Sequence, residues 1–523
     1  MYKNGGKLTC YNNAMRRLVK ILTSRVISIA LSIIAQIVFL YLSLCRIASF
    51  DKFQPFMEAV ALVIVIYIIN KQEDPSYTIG WCVLILVFPV LGVMLYLLCA
   101  GRKMPKKLSK GTTQVNESMA DLLVQDENVL EEIKENNEDL YRVYSCGYLT
   151  SKFPVYKNTK ATYFNSGEEF FPVLLEELRK AKHFIFLEFF IIDFGEMWDS
   201  VLAILQEKVK EGVEVKLIYD DFGCSATIPQ HYDRTLKRIG IETYRFNKLR
   251  PALIIQMNNR DHRKVIVIDN NVAFTGGVNL ADEYINVINR FGYWKDSAIR
   301  LEGEAVWSFT VMFLGMFSYL RERKEQIDYA KYKLPCIETH SNSYFQPFSD
   351  TPTDEVNLGL SAHLSLINQA KRYVYIDTPY LILNTDMQTA LILAAQSGVD
   401  VRILVPHIPD KKYVFSITQS NYEALIKAGV RVYEFTPGFN HCKNIISDDY
   451  IGLVGTVNTD YRSYYLHFED GVILQDEKIV LEMKQGYLKA LEVSHEVTLK
   501  ECRKFPLYKR IWRAVFKLMA PLF

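Results

Sequence analysis

Two stretches of the chain repeat a histidine, a lysine and an aspartate at one spacing. The two sets are His262, Lys264 and Asp269, and His441, Lys443 and Asp448. Residues two apart in an extended strand point to the same face, so each histidine should lie beside its lysine. An imidazole can attack phosphorus or carry a proton, and an ammonium group can hold a phosphate oxygen. Two such sets in one cleft would suit chemistry on a phosphodiester.

Each set is followed by glycine and asparagine at equivalent positions. Six residues separate Asp269 from Gly-Gly-x-Asn at 276–279, and six separate Asp448 from Gly-Thr-x-Asn at 455–458. Glycine lets the backbone approach a ligand closely, and Asn279 and Asn458 supply amide donors. We therefore predict that the lysines and asparagines hold the non-bridging oxygens. One histidine would attack phosphorus and the other would protonate the leaving alcohol.

The two aspartates complete the catalytic motifs, but their position differs from that of the other members. Asp269 and Asp448 have an odd offset from their histidines, which favours a structural role over direct proton transfer. A single motif of this kind could arise by chance at the end of a surface strand. Two copies with matching tails argue against that alternative. Cys442 should point away from His441 and serve as a packing residue.

The elements that must position these motifs also occur twice. Strand-like and helix-like segments alternate from about residue 150. The first copy comprises 183–193, 198–212, 213–221 and 234–246, and the second comprises 373–381, 386–398, 399–406 and 423–435. The repeat predicts an α/β protein with two similar lobes, residues 149–335 and 336–502, packed about a pseudo-twofold axis. Both motifs would then face one cleft.

Three apolar runs, 26–45, 56–69 and 79–100, precede these lobes. The first and third are long enough to cross a bilayer core of about 30 Å. We therefore predict that residues 1–103 form a membrane anchor with two or three transmembrane helices. A cleaved signal peptide is the alternative for the first run, although the run is longer than usual for one. Basic residues flank both ends of the anchor, so one run should fail to span, leaving the catalytic part cytoplasmic.

The remaining segments and the composition complete the prediction. Residues 104–148 are polar, partly helical and expected to be a linker, whereas 503–523 should form a basic amphipathic helix at the membrane interface. The net charge of +2 gives no indication of a nucleic-acid partner. The nine cysteines are scattered without a C-x-x-C pair. Carboxylates are not clustered at ligand spacing, so we expect no metal or cofactor requirement.

The motifs resemble those of the phospholipase D superfamily, whose signature is two copies of H-x-K-x4-D-x6-G-[GS]-x-N. Thr456 departs mildly from that pattern. The segments RDHRKVIVID, GGVNLADEY, FGYWKDSAIRLEGEAVWS, YIDTPYLIL and GTVNTDYRS are similar to bacterial cardiolipin synthases of the phospholipase D type. The resemblance extends over nearly the whole chain. It implies a bacterial cell-membrane enzyme that transfers a phosphatidyl group between two phosphatidylglycerol molecules, with anionic lipids as partners and no metal.

The same resemblance assigns roles to individual residues. It implies that each catalytic histidine is oriented by an acid just beyond its own motif, Asp296 for His262 and Glu469 for His441. It also implies that His262 attacks the donor phosphorus while His441 protonates glycerol and later deprotonates the acceptor. The sequence itself is nearly symmetric and does not decide which histidine is the nucleophile. Four alternatives stay open: a membrane-bound hydrolase of the same fold that uses water, another phosphatidyltransferase, a nuclease, and an inactive membrane scaffold.

Overall fold

The computed structural model describes residues 53–71, 75–99, 119, 121–249, 259–321, 327–337, 339, 341–352 and 356–518, together with positions 34, 38, 41 and 42. The apolar run 26–45 therefore lies outside the described residues except at those four positions. The end of the predicted interfacial helix, 519–523, also lies outside them.

Three helices form the described part of the predicted membrane anchor: α1 (Phe53–Asn70), α2 (Pro75–Val87) and α3 (Pro89–Cys99). The third apolar run is divided between α2 and α3, because Pro89 has no N–H for an unbroken helix and is suited to the start of a new one. Within the described ranges, no helix is both long and apolar enough to cross a membrane. The transmembrane helices therefore stay a prediction. The three helices dock beside the second lobe, where Tyr77 stacks on Tyr461 with ring centroids 5.8 Å apart.

Two helices, α4 (Glu127–Asn136) and α5 (Glu138–Ser151), lie in and just beyond the predicted linker. Their apolar side chains are buried in one cluster with the second lobe, and Tyr144 donates a hydrogen bond to the carbonyl of Tyr344 at 2.9 Å. The low number of apolar residues in this segment predicted a linker, but the apolar residues of α4 lie on one face of the helix. This part of the predicted 104–148 linker thus belongs to the packed core.

The first lobe is a seven-stranded sheet with the strand order β1-β9-β7-β6-β2-β3-β4. Its elements are β1 (Thr159–Phe164), α6 (Gly167–Lys180), β2 (Phe184–Phe189), α7 (Glu196–Lys210), β3 (Glu214–Asp220), α8 (Tyr232–Arg238), β4 (Glu242–Phe246), β5 (Arg260–Asp261), β6 (Val265–Ile268), β7 (Val272–Gly276), β8 (Tyr293–Lys295), β9 (Ala298–Gly303) and α9 (Val306–Arg321). Strand β2 is buried throughout, as expected for a central strand covered on both faces.

The second lobe repeats that order as β10-β17-β16-β15-β11-β12-β13, with β18 added at the edge. Its elements are β10 (Tyr344–Asp350), α10 (Leu358–Gln369), β11 (Tyr373–Asp377), α11 (Thr385–Gln396), β12 (Asp400–Pro406), α12 (Lys412–Lys427), β13 (Arg431–Phe435), β14 (Gly438–Asn440), β15 (Asn444–Ser447), β16 (Ile451–Gly455), α13 (Tyr461–Tyr465), β17 (His467–Gln475), α14 (Glu477–Glu492), β18 (Ser494–Glu496), α15 (Leu499–Arg503) and α16 (Leu507–Leu518). The predicted α/β fold with two similar lobes is therefore observed.

Short strands exchanged between the lobes join them beside both motifs. Strand β5 of the first lobe pairs in parallel with β17 of the second. Strand β14 of the second lobe pairs in parallel with β8 of the first. Side chains of α9 and α14 add a buried apolar cluster that contains residues of both lobes. The strand that precedes each histidine is thus held by the other lobe.

Candidate active site

Both histidine–lysine pairs lie in short extended segments between strands, not within a strand as the sequence suggested. His262 and Lys264 follow β5 and precede β6, whereas His441 and Lys443 follow β14 and precede β15. All four residues are buried. Lys264 Nζ donates to the carbonyl of His262 at 2.5 Å, and Lys443 donates in the same way to His441. Each lysine is therefore held beside its own histidine.

The residues between histidine and lysine point elsewhere. Arg263 forms ion pairs with Glu188 at 2.6 Å and Asp261 at 3.1 Å. Cys442 is fully buried, and its sulfur accepts a hydrogen bond from Lys295 Nζ at 3.1 Å. Burial raises the pKa of the Cys442 thiol to about 12, so the thiol stays protonated at neutral pH. These contacts agree with a packing role for Cys442.

Each histidine is hydrogen-bonded to an acid of the opposite lobe. His262 Nδ1 lies 2.8 Å from Glu469 Oε2, and His441 Nδ1 lies 2.7 Å from Asp296 Oδ2. The sequence pointed to these two acids but implied that each served the motif preceding it. The exchanged strands explain the reversal, because β5 brings His262 to β17 and β14 brings His441 to β8. We call this arrangement the crossed pairing.

The backbone follows the same exchange. The amide of His262 donates to the carbonyl of Phe468 at 2.9 Å, and the amide of His441 donates to the carbonyl of Lys295 at 2.7 Å. Each of these carbonyls belongs to the residue just before the acid that holds the ring. Main chain and side chain of each histidine are therefore fixed by the same strand of the opposite lobe.

Burial sets the charge state of the two histidines. It lowers the pKa of His262 to about 3 and that of His441 to about 4. Burial acts to raise the pKa of Glu469 and of Asp296. The hydrogen-bonded histidine outweighs this effect in each case, so His262 holds the pKa of Glu469, and His441 that of Asp296, below its usual value. An ionised carboxylate only accepts hydrogen bonds, so each Nδ1 carries the proton. Each Nε2 then keeps its lone pair for attack or proton transfer.

The two lysines also have shifted pKa values. Burial lowers the pKa of Lys264 to about 7 and that of Lys443 to about 8. Charge repulsion from Lys443 also lowers the pKa of Lys264, and repulsion from both lysines lowers the pKa of His441. Glu469 and Asp296 partly offset the effect at Lys264. Two lysines near two ionised acids and two neutral imidazoles form a site that can attract a phosphate anion.

The two asparagines of the motifs have different surroundings. Asn279 Oδ1 accepts from the amide of Ile191 at 3.1 Å, and its Nδ2 donates to the Tyr284 hydroxyl at 2.7 Å. Asn458 is buried, and its Oδ1 has no hydrogen-bond partner among the described residues. Tyr284 in turn packs edge-on against His441, with ring centroids 5.5 Å apart. The first asparagine is thus tied to its own lobe, and phosphate binding by either one stays a prediction.

The motif aspartates bind backbone amides instead of the histidines. Asp269 accepts from the amides of Lys182, His183 and Phe184 at 2.7–2.8 Å, at the start of β2. Asp448 accepts from the three equivalent amides at the start of β11, at 2.6–2.9 Å. Both aspartates also sit in left-handed turns, with φ values of 52° and 57°. The structure gives them positioning contacts and not contacts with the histidines.

The departure at Thr456 has a local explanation. At the equivalent position of the first lobe, a Cβ on Gly277 would lie 1.9 Å from Asp296 Oδ1, so only glycine leaves room for that acid. In the second lobe, the Thr456 hydroxyl instead donates to Glu469 Oε2 at 2.5 Å. The two half-sites therefore position their acids differently.

Two residues near the acids were missed from the sequence. Trp294 lies two residues before Asp296, and its Nε1 donates to Asp296 Oδ2 at 3.4 Å. His467 occupies the equivalent position before Glu469, with Nδ1 3.4 Å from Oε1. The available signal was the spacing, since residues two apart on a strand share a face. The rings also lie close to the motif histidines: the ring centroids of Trp294 and His441 are 5.1 Å apart, and those of His467 and His262 are 5.5 Å apart.

Comparison with known proteins places the chain in a family. The family described as cardiolipin synthase, PLD-like domain, matches residues 174–289 and 363–490, one segment in each lobe. A cardiolipin synthase of Alkalihalophilus pseudofirmus is 32% identical over 469 residues, covering 89% of this chain and 92% of that protein. The chain belongs to the cardiolipin synthase family of phospholipase D-like proteins.

Three further comparisons concern the N-terminal region, the whole chain and the fold. The phospholipase D-nuclease N-terminal family matches residues 59–100. An uncharacterised protein of Streptococcus mutans is 43% identical over 461 residues, covering 88% of this chain and 99% of that protein. The crystal structure of a phosphatidylserine synthase from Haemophilus influenzae has a TM-score of 0.55 at 15% identity, covers 73% of this chain, and supports the fold. As a member of this family, the protein is a phosphatidyltransferase of the phospholipase D type.

Proposed function

We propose that the enzyme is a cardiolipin synthase that transfers a phosphatidyl group from one phosphatidylglycerol to another and releases glycerol. The crossed pairing is the observation that carries this proposal, because it gives both histidines the same tautomer and leaves both Nε2 atoms free. A two-step transfer needs one nucleophile and one acid–base group. Relatives of this chain that carry the name cardiolipin synthase support the choice of substrate.

The proposed reaction begins with attack of His262 Nε2 on the phosphorus of the donor lipid. His441, protonated for this step, gives its proton to the departing glycerol oxygen, and a phosphatidyl-histidine forms. His441 Nε2 then removes a proton from a hydroxyl of the second phosphatidylglycerol, whose oxygen attacks phosphorus and frees His262. Lys264 and Lys443 would hold the non-bridging oxygens, and Asn279 and Asn458 would orient them. Assignment of the nucleophile to His262 follows the family resemblance.

The deciding experiment identifies the lipid made by the purified full chain from phosphatidylglycerol. Formation of cardiolipin and glycerol in equal amounts is expected. Phosphatidic acid as the main product would instead identify a hydrolase. His262→Ala and His441→Ala should each abolish product formation, whereas Cys442→Ala should keep most of it. Near-normal activity in either histidine variant would contradict the mechanism.

We also propose that residues 1–103 anchor the enzyme in the bacterial cell membrane, with the catalytic lobes on the cytoplasmic side. Apolar side chains more than half exposed line the described helices of this region; they include Leu62, Val63, Ile66 and Ile69 on α1, Leu86 and Val87 on α2, and Leu97 on α3. Contiguous apolar surface of this kind marks an interaction with membrane or protein. Membrane insertion would be tested by carbonate extraction of cell membranes.

Residues 503–523 are proposed to form a second contact with the membrane. Helix α16 packs on α12 through Phe516, which joins a small cluster with Ile382, Val414 and Ile417. Its other apolar side chains face outward: Leu507 is 71% exposed and Trp512 is 59% exposed. Because α16 also contacts α2, the exposed apolar residues of both helices lie in one region. Basic residues of α16 would bind anionic headgroups beside that region.

A further inference from the structure

Three side chains capable of binding a metal lie close together; they are His262, His467 and Glu469. Glu469 lies between two imidazoles, with Oε2 2.8 Å from His262 Nδ1 and Oε1 3.4 Å from His467 Nδ1. One ligand atom from each of the three residues lies within 4.8 Å of the other two. Two histidines and a glutamate are a ligand set used by zinc enzymes, which leave the fourth position open.

Two atoms of this cluster lack the partners that buried polar atoms normally have. Nδ1 of His467 and Oε1 of Glu469 are buried, and neither has a hydrogen bond of good geometry among the described residues. Since most buried polar side-chain atoms are paired, a neighbouring pair without bonds calls for an explanation. A cation bound between them would satisfy both.

We propose that His262, His467 and Glu469 bind a divalent ion of the zinc type, and that this ion inhibits the enzyme. Zinc bonds to nitrogen and oxygen of about 2.0–2.1 Å give a tetrahedron with edges of about 3.3 Å. The distance from His262 Nδ1 to Glu469 Oε2 is 2.8 Å, slightly below that edge length, and the distance from His467 Nδ1 to Glu469 Oε1 is 3.4 Å, slightly above it. The three ligand atoms lie within 4.8 Å of one another, so the side chains would have to move closer together to accept the ion.

The charges at neutral pH favour binding in part. Metal ligands must be deprotonated, and His262 is neutral because burial lowers its pKa to about 3. Its interaction with Glu469 keeps that carboxylate ionised, although burial acts against it. The positive charge of Lys264, two residues from His262, acts against a cation at this place.

Inhibition follows from the tautomer of His262. Without metal, His262 Nδ1 carries the ring proton and donates a hydrogen bond to Glu469. His262 Nε2 then keeps the lone pair that would attack phosphorus. A metal at Nδ1 requires the single proton of the neutral ring to move to Nε2, where it covers that lone pair. No proton leaves the ring in this step. The inhibition rests on the proposed role of His262, whereas the binding of the ion does not.

The second half-site lacks this property. Trp294 stands where His467 stands in the first, and an indole N–H is a donor that cannot bind a metal. The pseudo-twofold site should therefore bind one ion, at the His262 side only.

Binding is tested without any turnover, by adding Co²⁺ to the purified full chain in detergent and recording its visible absorption. We expect bands of four- or five-coordinate Co²⁺ at one equivalent, displaced by Zn²⁺. His467→Gln should weaken binding at least about 10-fold. His467→Cys, which restores a ligand, should recover it with an added sulfur charge-transfer band. The matched control is His407→Gln, which alters another histidine–carboxylate pair, 2.9 Å from Glu434, and should leave Co²⁺ affinity unchanged.

Inhibition is measured separately, as cardiolipin formation over a range of free Zn²⁺. Wild type should lose activity over the same Zn²⁺ range that displaces Co²⁺, and the remaining activity of His467→Gln should resist Zn²⁺. Equal Co²⁺ affinity of wild type and His467→Gln, or no Co²⁺ binding by wild type, would overturn the proposed site. Co²⁺ binding that meets these expectations without Zn²⁺ inhibition would overturn only the inhibition and the role of His262 on which it rests.

Discussion

At the level of single residues, Glu469 and Asp296 have the same task on opposite sides of the site. Each carboxylate fixes the proton on Nδ1 of a histidine from the other lobe. An acid in this position holds the tautomer and stabilises the positive ring that forms during reaction. The loss of either acid should therefore act through one particular histidine, and the crossed pairing says which.

The first prediction concerns Glu469→Gln and Asp296→Asn. Each should reduce cardiolipin formation by about 10³- to 10⁴-fold, the scale known for replacing such an acid by its amide. Glu469→Gln should change the rate at which diethylpyrocarbonate modifies His262, read by peptide mass spectrometry, and should leave His441 unaffected. Asp296→Asn serves as the matched control and should do the reverse. A Glu469→Gln variant that altered only His441 would contradict the crossed pairing.

The second prediction is the dependence of activity on pH. His262 must be neutral to attack phosphorus, and its pKa of about 3 satisfies that requirement above about pH 5. His441 must be protonated to give its proton to glycerol, and its pKa of about 4 makes the protonated form scarcer as pH rises. The lysines must be charged to hold phosphate, and they lose that charge as pH rises through about 7 and 8. The ratio kcat/KM for phosphatidylglycerol should therefore decrease as pH rises above 5, and decrease more steeply above 8 as the lysines also lose their charge. A rise from pH 6 to 9 would exclude charged lysines as phosphate ligands.

The sequence allowed the histidines and lysines of the candidate site to be located because their spacing is repeated. Spacing gives the face on which a side chain lies, so it indicated His262 and His441 and separated Asp269 and Asp448 from them. It does not tell which lobe a face meets, so the assignment of each acid to its own motif was wrong. His467 was missed because a histidine two residues before an acid looks like an ordinary strand residue.

At the level of elements, the helices outside the lobes carry much of the new information. The periodic pattern at 507–518 predicted α16, because its apolar residues recur at helical spacing. The same reasoning undervalued α4 and α5, whose few apolar residues are nevertheless buried against the second lobe. A pattern defines which face of a helix is apolar, but the partner for that face becomes known only from the tertiary structure.

The third prediction tests α16 in the full chain. Ile511→Ser with Trp512→Ser removes two exposed apolar side chains and should lower activity on phosphatidylglycerol vesicles several-fold, because the helix would bind the interface less tightly. Activity in detergent micelles containing the same lipid should be unchanged. Leu393→Ser, which removes an exposed apolar residue from α11, is the control and should alter neither assay. Equal loss in vesicles and micelles would indicate a structural role for α16.

At the level of the whole molecule, the exchanged strands make the lobes a single unit. The segment before each motif is paired with a strand of the other lobe, and a buried apolar cluster spans both lobes. A complete site therefore needs both lobes in one arrangement, and the two histidines of a site come from one chain.

The fourth prediction follows from that arrangement. Mixing purified His262→Ala with His441→Ala should restore no cardiolipin formation, because every site would contain one intact histidine only. Mixing each variant with wild type is the control, and it should give the activity of the wild-type fraction alone. Recovery of activity in the mixture of variants, tested also after co-expression, would mean that lobes exchange between chains.

The exchange of β5 and β14 also bears on how a doubled gene segment can persist. Duplicated sequences ordinarily diverge because one copy can accumulate damage while the other retains the activity. Here the acid of each half serves the histidine of the other, so a lesion in either half disables chemistry located in both. The two halves are consequently inherited as one indivisible trait. The two halves can differ only where a substitution leaves the crossed contacts intact, as at the equivalent positions Trp294 and His467.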